Sequence, residues 1–487
     1  MFFLIEQVVA IVLALIVVIT LAIVTMVVVA VQRRQVRERY FERLDRVRQE
    51  YAPVIAAVLN GTLDYRRALE KLRLLGRDRM AMLERLCLEA DPTPEQLPAL
   101  RRLCEDLGLV EIWQQRLRNG QKGASLWKRF FSIEGFLGRL GKVEFLSRAQ
   151  SAENLGTIRH QPSWPLLVQA LKDRHPDVQS VSVRALALIG EPQSFPALVE
   201  RLQAVILEPA TTHVSLRAVK TAVVSFPLSL APRLLPSLQH PHRRIRFLAT
   251  DVIREIVERE ASQHEGFVLG PGQFPPQLAE IFLTRLCADE NPDVRARTAP
   301  ILAHMADPRA TQVLLALLED REWFVRLHAV RALAKAKFAL HVDAIAKRLT
   351  DRHWMVREAT VHTLQQLQRL DHLCDVFLHT QDRYSQEQIA DEWQRAGVIP
   401  TLLGQYAQAN SGPESRVVDA LVRMGKTSYM LAVLTHSTDR NLRKRFLQDF
   451  GGNPDPQIQY WVRELARREP DTELRALALA SKLPERP

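Results

Sequence analysis

The sequence predicts an all-α fold, a solenoid of repeated helical pairs, because one pattern is written three times at a fixed interval. In each copy an aspartate is followed five residues later by a valine and an arginine, and a leucine lies eight residues beyond the valine. The copies are 31 residues apart and consist of Asp289, Val294, Arg295 and Leu302; Asp320, Val325, Arg326 and Leu333; and Asp351, Val356, Arg357 and Leu364. Such a repeat is typical of a solenoid, since one helical pair cannot bury its apolar face alone.

Residues 288–295 and 320–333 carry the clearest copies, and residues 171–190 carry an earlier one with Gln179 in place of the arginine. These segments resemble the short HEAT repeats of bacterial and PBS-lyase-type proteins, whose units read L-x-D-x-x-P-x-V-R-x-x-A-x-x-A-L. The resemblance implies a right-handed α-solenoid whose second helices line the concave side. It also implies a ladder that ties successive units together, with the aspartate at the turn within a unit and the arginine opening the second helix.

The chain divides into four predicted segments. Residues 1–32 form a transmembrane anchor, 33–52 a basic juxtamembrane helix, 53–123 a helical cap region and 124–487 a HEAT-repeat solenoid of about ten units. Residues 262–276 are rich in glycine and proline and are predicted to form an insertion between units. Insertions in solenoids often carry binding, although a tolerated loop is the commoner case.

The anchor prediction rests on the run from Val8 to Val31, which has 24 residues without a charge or a proline. At about 1.5 Å per residue, a helix of this length exceeds the ~30 Å hydrocarbon core of a bilayer. A cleaved signal peptide fits poorly, because no basic residue precedes the run and no small-x-small site precedes Gln32. The sequence therefore predicts an uncleaved single span.

The charges that flank this run predict its orientation. Glu6 is the only charged side chain before it, whereas arginines crowd the other side. By the positive-inside rule, the amino terminus is outside and the solenoid is cytoplasmic. Arginine outnumbers lysine 54 to 12, an association that favours a bacterial genome and hence the inner membrane of a bacterium. Anionic headgroups attract nearby basic side chains by about 1 kcal/mol each. The membrane-proximal residues predicted to do this are Arg33, Arg34, Arg37, Arg39 and Arg43.

The distribution of charge argues against nucleic acid as the partner. The net charge is +11, and residues 33–150 hold 24 basic and 16 acidic side chains, whereas residues 151–487 hold a nearly balanced 42 and 38. The excess of basic side chains therefore lies beside the predicted membrane span. Positive charge without a motif that recognises nucleic-acid bases is weak evidence of nucleic-acid binding. The four cysteines form no C-x-x-C pair, a pattern that indicates a reducing compartment.

Residues 124–146 combine aromatic and basic side chains and have two interpretations. They could form a helix that lies in the membrane interface, or the first HEAT unit. The second interpretation is favoured, because residues 148–156 match the segment that ends at Gly190, 34 residues later.

The motifs in the sequence predict no catalytic, cofactor or metal site and no small-molecule substrate. Residues 420–427 satisfy a relaxed Walker A pattern, but the segment is predicted to be a helix end with Gly425 as its cap, without the strand and loop that a phosphate site needs. The remaining metal-ligand candidates are too few for a site, since no further ligand is implied. They are His372, Cys374, Asp375 and His379 on one segment, and the pair His264 and Glu265.

Six residues are predicted to bind a partner. On the second helices, four residues that stand three or six positions after a repeated valine are polar rather than apolar. They are Arg297, His328, Arg331 and His362. Trp323 and Trp354 hold the same place in adjacent units, where partner binding and packing of the turn are equally consistent with the sequence.

The sequence as a whole predicts a membrane-anchored, non-catalytic HEAT-repeat scaffold that binds a protein partner on its cytoplasmic side. A membrane enzyme of envelope or polysaccharide synthesis is a client class that fits such a scaffold. One alternative is a HEAT-like enzyme, such as a bilin lyase or a metal hydroxylase, which the resemblance also includes. Another is a binder of anionic lipid or nucleic acid.

Overall fold

The computed structural model describes residues 2–73, 80–90, 92–119, 142–209, 212–263, 269, 272–334, 341–367, 369–380, 383–408 and 412–481. All regular elements in these ranges are helices, and no β-strand occurs among them. The predicted all-α class is therefore confirmed for the described part of the chain. The chain divides into two compact units, Met1–Ser225 and Phe226–Pro487, called the amino-terminal and carboxy-terminal units below.

The described α-helices of the amino-terminal unit are α1 (Phe2–Leu59), α2 (Tyr65–Arg73), α3 (Met80–Glu89), α4 (Leu97–Asp106), α5 (Leu109–Asn119), α6 (Lys142–Thr157), α7 (Trp164–Ala170), α8 (Pro176–Ile189), α9 (Phe195–Leu207) and α10 (Leu216–Val224). Those of the carboxy-terminal unit are α11 (Leu235–Leu238), α12 (Arg243–Ala261), α13 (Pro276–Thr284), α14 (Pro292–Ala303), α15 (Pro308–Leu317), α16 (Trp323–Leu333), α17 (Val342–Ala346), α18 (Trp354–Gln366), α19 (Leu370–His379), α20 (Arg383–Ala396), α21 (Val398–Gln408), α22 (Pro413–Arg423), α23 (Thr427–His436), α24 (Arg440–Phe450), α25 (Pro456–Arg468) and α26 (Thr472–Ser481).

Prolines and side-chain caps determine where many of these helices begin. Proline is the first residue of α8, α14 and α15, a position that needs no N–H donor and suits its restricted φ. Directly before α14 and α15, Asn291 and Asp307 accept hydrogen bonds from the backbone N–H two residues on, at 3.0 and 2.8 Å. The turns between helices are therefore specified by local sequence.

Helix α1 continues through Pro53 to Leu59, although the sequence predicts that the juxtamembrane helix ends at Pro53. Proline removes one backbone donor from a helix, which favours a break. Here Val54, Ile55 and Val58 are buried, and α1 packs against α2, α3 and α4. This tertiary packing offsets the missing hydrogen bond.

Within the described residues, none of the helices combines the length and the apolar character needed to cross a membrane. The transmembrane helix predicted from Val8 to Val31 is thus not supported by the described part of the chain. The side chains of residues 8–18, in the first half of that run, lie outside the described residues.

A buried carboxylate connects three helices of the amino-terminal unit. Glu84 on α3 accepts hydrogen bonds from Trp113 Nε1 of α5 at 2.7 Å and from Asn154 Nδ2 of α6 at 2.9 Å. Arg116 Nη1 lies 3.1 Å from the same carboxylate oxygen. Because the charge is paired and hydrogen-bonded, its burial is tolerated in the core.

In the carboxy-terminal unit, consecutive second helices pack side by side: α12 on α14, α14 on α16, α16 on α18 and α18 on α20. The repeated valines and leucines lie in this stack and are fully buried; they are Val294, Val325, Val356, Leu302, Leu333 and Leu364. Burial of one such side chain contributes about 1.5–3 kcal/mol. The 31-residue pattern therefore marks the core positions that the sequence predicts.

Candidate partner-binding site

A ladder of ion pairs joins successive second helices. Each guanidinium donates Nε and Nη2 to the carboxylate that precedes the next second helix, and both partners are buried or nearly so. The pairs are Arg246 with Asp289 (2.7 and 3.0 Å), Arg295 with Asp320 (2.7 and 2.9 Å) and Arg326 with Asp351 (2.7 and 2.7 Å). Bidentate pairs of this kind fix geometry as well as adding energy. The repeated aspartates and arginines are therefore structural, as the resemblance implies.

The same arginines also bind their own unit. Nη1 of Arg295, Arg326 and Arg357 donates to the backbone carbonyl of the aspartate six residues earlier, at 2.7, 2.8 and 2.9 Å. In the amino-terminal unit, Gln179 Nε2 makes this contact with the carbonyl of Asp173 at 2.6 Å. The side-chain amide of Gln179 therefore takes the place of the arginine Nη1 group, which binds a carbonyl of its own unit.

The pairing within the ladder is different after Asp351. Nη2 of Arg357 donates to Gln388 Oε1 at 2.8 Å and lies 3.4 Å from Glu392 Oε1 on α20. Among the described residues, Arg357 Nε has no hydrogen-bond partner. The residue 31 positions after Asp351 is Asp382, which lies outside the described residues. The described contacts of Arg357 are thus less regular than those of Arg295 and Arg326.

Aromatic side chains lie beside the ladder, at the turns before α16 and α18. The rings of Trp323 and His353 stack with centroids 3.9 Å apart and an angle of 7° between their planes. His353 Nδ1 accepts a hydrogen bond from the Met355 backbone N–H at 3.3 Å, which caps α18. Trp323 is half-buried, whereas Trp354 is 45% exposed. Trp323 therefore packs the turn, and Trp354 is the tryptophan of the pair that presents its ring to solvent.

A cavity of about 840 Å³ opens between the first turn of α18 and helix α20. We call it the rim cavity. Its described lining residues are Leu349, Thr350, Asp351, Arg352, His353, Trp354, Arg357, Tyr384, Ser385, Gln388 and Arg395. Tyr384, with 68% of its surface exposed, is an aromatic neighbour that the sequence analysis missed. The register of Trp323 and Trp354, extended by another 31 residues, reaches Ser385 and would have pointed to Tyr384 beside it.

The predicted positions on the second helices differ in accessibility. Arg297 Nε lies 3.3 Å from Asp251 Oδ1, and Arg254 binds the same oxygen at 2.9 Å. His328 is half-buried beside these groups, whereas Arg331 and His362 are exposed. Burial, followed by the charges of Arg297, Arg331 and Arg254, lowers the pKa of His328 to about 4. His328 is thus a neutral packed side chain at pH 7, and Arg331 and His362 are the accessible members of the set.

The membrane-proximal arginines are described only in part. Arg34 Nε donates to Glu38 Oε1 at 2.8 Å, one helical turn on, with both side chains exposed. The side chains of Arg33, Arg37, Arg39 and Arg43 lie outside the described residues.

The weaker motifs do not assemble into sites in the described residues. No group of three or more His, Cys, Asp and Glu side chains converges there as a metal ion would require. His372 contacts Asp343 and Asp371 at 3.0 and 3.1 Å, and Cys374 is fully buried. His264 and Glu265 lie outside the described residues.

The relaxed Walker A pattern lies between two helices. Gly425 has a φ of 74° in the turn that joins α22 to α23, a left-handed conformation that favours glycine. The segment is thus the end of one repeat helix and the start of the next.

Comparison with models of protein families finds a match, described as HEAT repeats, over residues 135–205 and 279–365. The resemblance to HEAT repeats is therefore confirmed in these two segments. The second segment includes the Trp323 and Trp354 turns and much of the lining of the rim cavity.

Solved structures that match the chain do so at low identity. One is an engineered protein with 17% identity, covering 77% of this chain and 96% of its own, with a TM-score of 0.30. Another is human deoxyhypusine hydroxylase in complex with glycerol, with 15% identity, coverage of 60% and 99%, and a TM-score of 0.22. A chain of the Pds5–Scc1 complex has 15% identity, coverage of 88% and 75%, and a TM-score of 0.28. Comparison with curated proteins gives no match.

Proposed function

We propose that the chain is a non-catalytic HEAT-repeat scaffold that binds a protein partner at the rim cavity of its carboxy-terminal unit. The observation that carries the proposal is the position of Trp354 and Tyr384, two exposed aromatic residues at the mouth of an ~840 Å³ cavity. Tryptophan, tyrosine and arginine are the residue types most enriched where binding energy concentrates. The rim cavity combines all three.

The scaffold beneath the rim cavity supports such a role. Asp351 lines the cavity and is held by Arg326 at 2.7 Å through both oxygens, and His353 is stacked on Trp323. Side chains that are fixed before binding lose less conformational entropy when a partner docks. Asp351 and His353, which line the cavity beside the exposed aromatic residues, are therefore fixed before a partner binds.

The proposal of a non-catalytic role rests on how the ionisable groups of the cavity are used. Asp351 and Arg357 form ion pairs or hydrogen bonds that hold neighbouring helices together. A general acid or base would instead need a group aimed at the substrate with its proton free to move. Purified protein that carries a stoichiometric metal or chromophore would overturn this part of the proposal and favour a HEAT-like enzyme.

Attachment to a membrane through the amino-terminal part of α1 belongs to the same proposal, with the carboxy-terminal unit in the cytoplasm and a membrane-associated client. It rests on the uncharged run from Val8 to Val31 and on exposed apolar side chains such as Leu21 and Met26. Fractionation of cells that express the full chain tests it. Recovery in the membrane fraction after a high-salt wash is the expected result, and release by that wash would contradict the attachment.

Site-specific photo-crosslinking in intact cells tests partner binding. A photoreactive phenylalanine analogue is placed at Tyr384 and, as a matched control, at Tyr460 of α25, which has almost the same exposure at 67%. A discrete protein adduct at position 384, absent at 460 and lost in a Trp354→Ala background, is expected. No adduct, or the same adducts at both positions, would contradict the proposal.

A further inference from the structure

We infer that the rim cavity receives an acidic, extended peptide segment of the partner. This inference rests on the proposed function and names the chemistry of the partner at the same site. Two observations carry it: an excess of arginine in the lining, with exposed guanidinium groups, and aromatic walls beside these groups.

The described lining carries more positive than negative charge. Arg352, Arg357 and Arg395 line the cavity, whereas Asp351 is the one acidic residue among the described lining residues. The charge of Asp351 is already matched by Arg326, which binds both of its oxygens from outside the lining. The cavity therefore offers a positive potential to an incoming group.

One nearby carboxylate offsets part of this charge. Glu392 is almost fully buried and lies 3.4 Å from Arg357 and 3.2 Å from Arg395. Two guanidinium groups share it, so one positive charge of that pair remains in excess. Arg352, which is exposed, adds another.

Two of the three lining arginines are accessible to a partner. Arg352 is exposed, as is 60% of the Arg395 side chain, whereas Arg357 is largely buried and contributes its charge from behind them. A guanidinium presents its N–H groups in a fork that matches a carboxylate, and bidentate pairing is its strongest mode. Aspartate or glutamate side chains of a partner therefore fit the available donors.

The aromatic walls favour a peptide over an isolated ion. The exposed rings of Trp354 and Tyr384 give apolar area along which the backbone and side-chain methylenes of an extended segment can pack. Nucleic acid is disfavoured, because its affinity comes from neutralising a line of phosphates along an extended basic track. The arginines of the rim cavity are instead confined to one place, and residues 151–487 together hold a nearly balanced 42 basic and 38 acidic side chains.

The test selects peptides without presupposing their sequence. A library of random twelve-residue peptides displayed on phage is panned on the full-length protein, and the enriched peptides are synthesised with a fluorophore. Binding is measured by anisotropy to the wild type and to Arg395→Glu. Arg467→Glu is the matched control, because Arg467 is also an exposed arginine that pairs with a glutamate three residues before it on a helix.

Enrichment of aspartate and glutamate, with at least a tenfold loss of affinity in Arg395→Glu and less than a twofold change in Arg467→Glu, is expected. Affinity should also fall as sodium chloride is raised. The urea midpoints of the three proteins are compared, so that a folding defect is separated from loss of the site. A Trp354→Ala variant with an unchanged midpoint provides a second test and should weaken the same peptides.

Four outcomes would overturn the inference: no enrichment, enrichment of basic or purely apolar peptides, equal loss in both arginine variants, or affinity unchanged in Arg395→Glu. A twenty-nucleotide single-stranded DNA that binds as tightly as the peptides and is equally weakened by Arg395→Glu would replace the peptide by nucleic acid. If crosslinking at Tyr384 still yields a protein adduct in any of these cases, the proposed function stands and only the acidic chemistry is wrong. Absence of the adduct contradicts the proposed function itself.

Discussion

Arg326 and Asp351 are joined by two hydrogen bonds of 2.7 Å, and the same guanidinium donates to the backbone carbonyl of Asp320 at 2.8 Å. One side chain thus connects the turn of its own unit to the turn of the next. Burial by itself raises the pKa of Asp351, but hydrogen bonds from Arg326 and from the His353 backbone N–H outweigh it, and the pKa stays below its ordinary value of 3.8. The Asp351 carboxylate is therefore ionised over the whole pH range in which its pair with Arg326 stabilises the stack.

Arg326→Met should destabilise the carboxy-terminal unit by on the order of 3 kcal/mol at pH 7, because it leaves a buried carboxylate without its partner. Since the folded-state pKa of Asp351 is depressed, the contribution of the pair is present above about pH 4 and is lost as the pH falls further. Urea denaturation at pH 7 and pH 3.5 should show a smaller difference between the proteins at the lower pH. Arg309→Ala removes the two ion pairs of an exposed arginine, with Glu280 and Asp307, and should leave the midpoint unchanged. Equal midpoints for Arg326→Met and the wild type would contradict this role of the ladder.

Val325→Asp should unfold the stack around α16, with a loss of at least about 3 kcal/mol, because a charge would be buried without a partner. Gln312→Asp, on the exposed face of α15, introduces the same charge in contact with water and should melt like the wild type. Thermal denaturation followed by circular dichroism compares the three proteins. A Val325→Asp protein with an unchanged melting temperature would show that the repeat register is wrong.

Gly156→Ala should destabilise the amino-terminal unit, although alanine ordinarily stabilises a helix relative to glycine. A Cβ at this position of α6 would lie 2.7 Å from both Cα and Cβ of Ala185 on α8, so the two helices would have to separate. We expect a loss of about 1–3 kcal/mol from overpacking. Gly404→Ala on α21 has no atom within 4 Å of the added methyl and should gain about 0.5–1 kcal/mol. Hydrogen exchange of each helix measures both effects, and equal protection in the two variants would contradict the close approach.

His328 should make the carboxy-terminal unit less stable in mild acid. The pKa of its imidazole is about 4 in the folded protein, mainly because of burial, against an ordinary value of 6.5, so the unfolded chain binds the proton more tightly between these values. Stability should therefore be complete above pH 6.5 and fall as the pH drops towards 4, by up to ~3 kcal/mol.

The comparison of urea midpoints at pH 7 and pH 4.5 isolates this effect. His328→Gln removes the titration and should flatten the pH dependence. His362→Gln is the control on the next second helix; it leaves His328 in place and should keep the wild-type pH dependence. Parallel pH profiles for His328→Gln and the wild type would show that His328 is not the group responsible.

The candidate site could be predicted only in part from the sequence. The spacing of Trp323 and Trp354 identified equivalent turns, but it left open which ring packs and which is exposed. That difference depends on His353, whose ring stacks on Trp323, and on Tyr384 and Arg395, which reach the same cavity from α20. The unit that holds α20 has Glu387 where the pattern has valine, so its side chains could not be placed by register alone.

The sequence by itself determined the helical pairs and the buried valines and leucines, because each depends on a short pattern that recurs at a constant interval. The ladder was implied by the resemblance to HEAT repeats, and the structure identified which arginine pairs with which aspartate. Only the tertiary structure decided the contacts between elements without that pattern: Gly156 against Ala185, the thiol of Cys104 beside that of Cys87, and His328 among three arginines. These contacts depend on the rotation and separation of packed helices. Small changes in side-chain volume alter that geometry without changing the periodicity of the sequence.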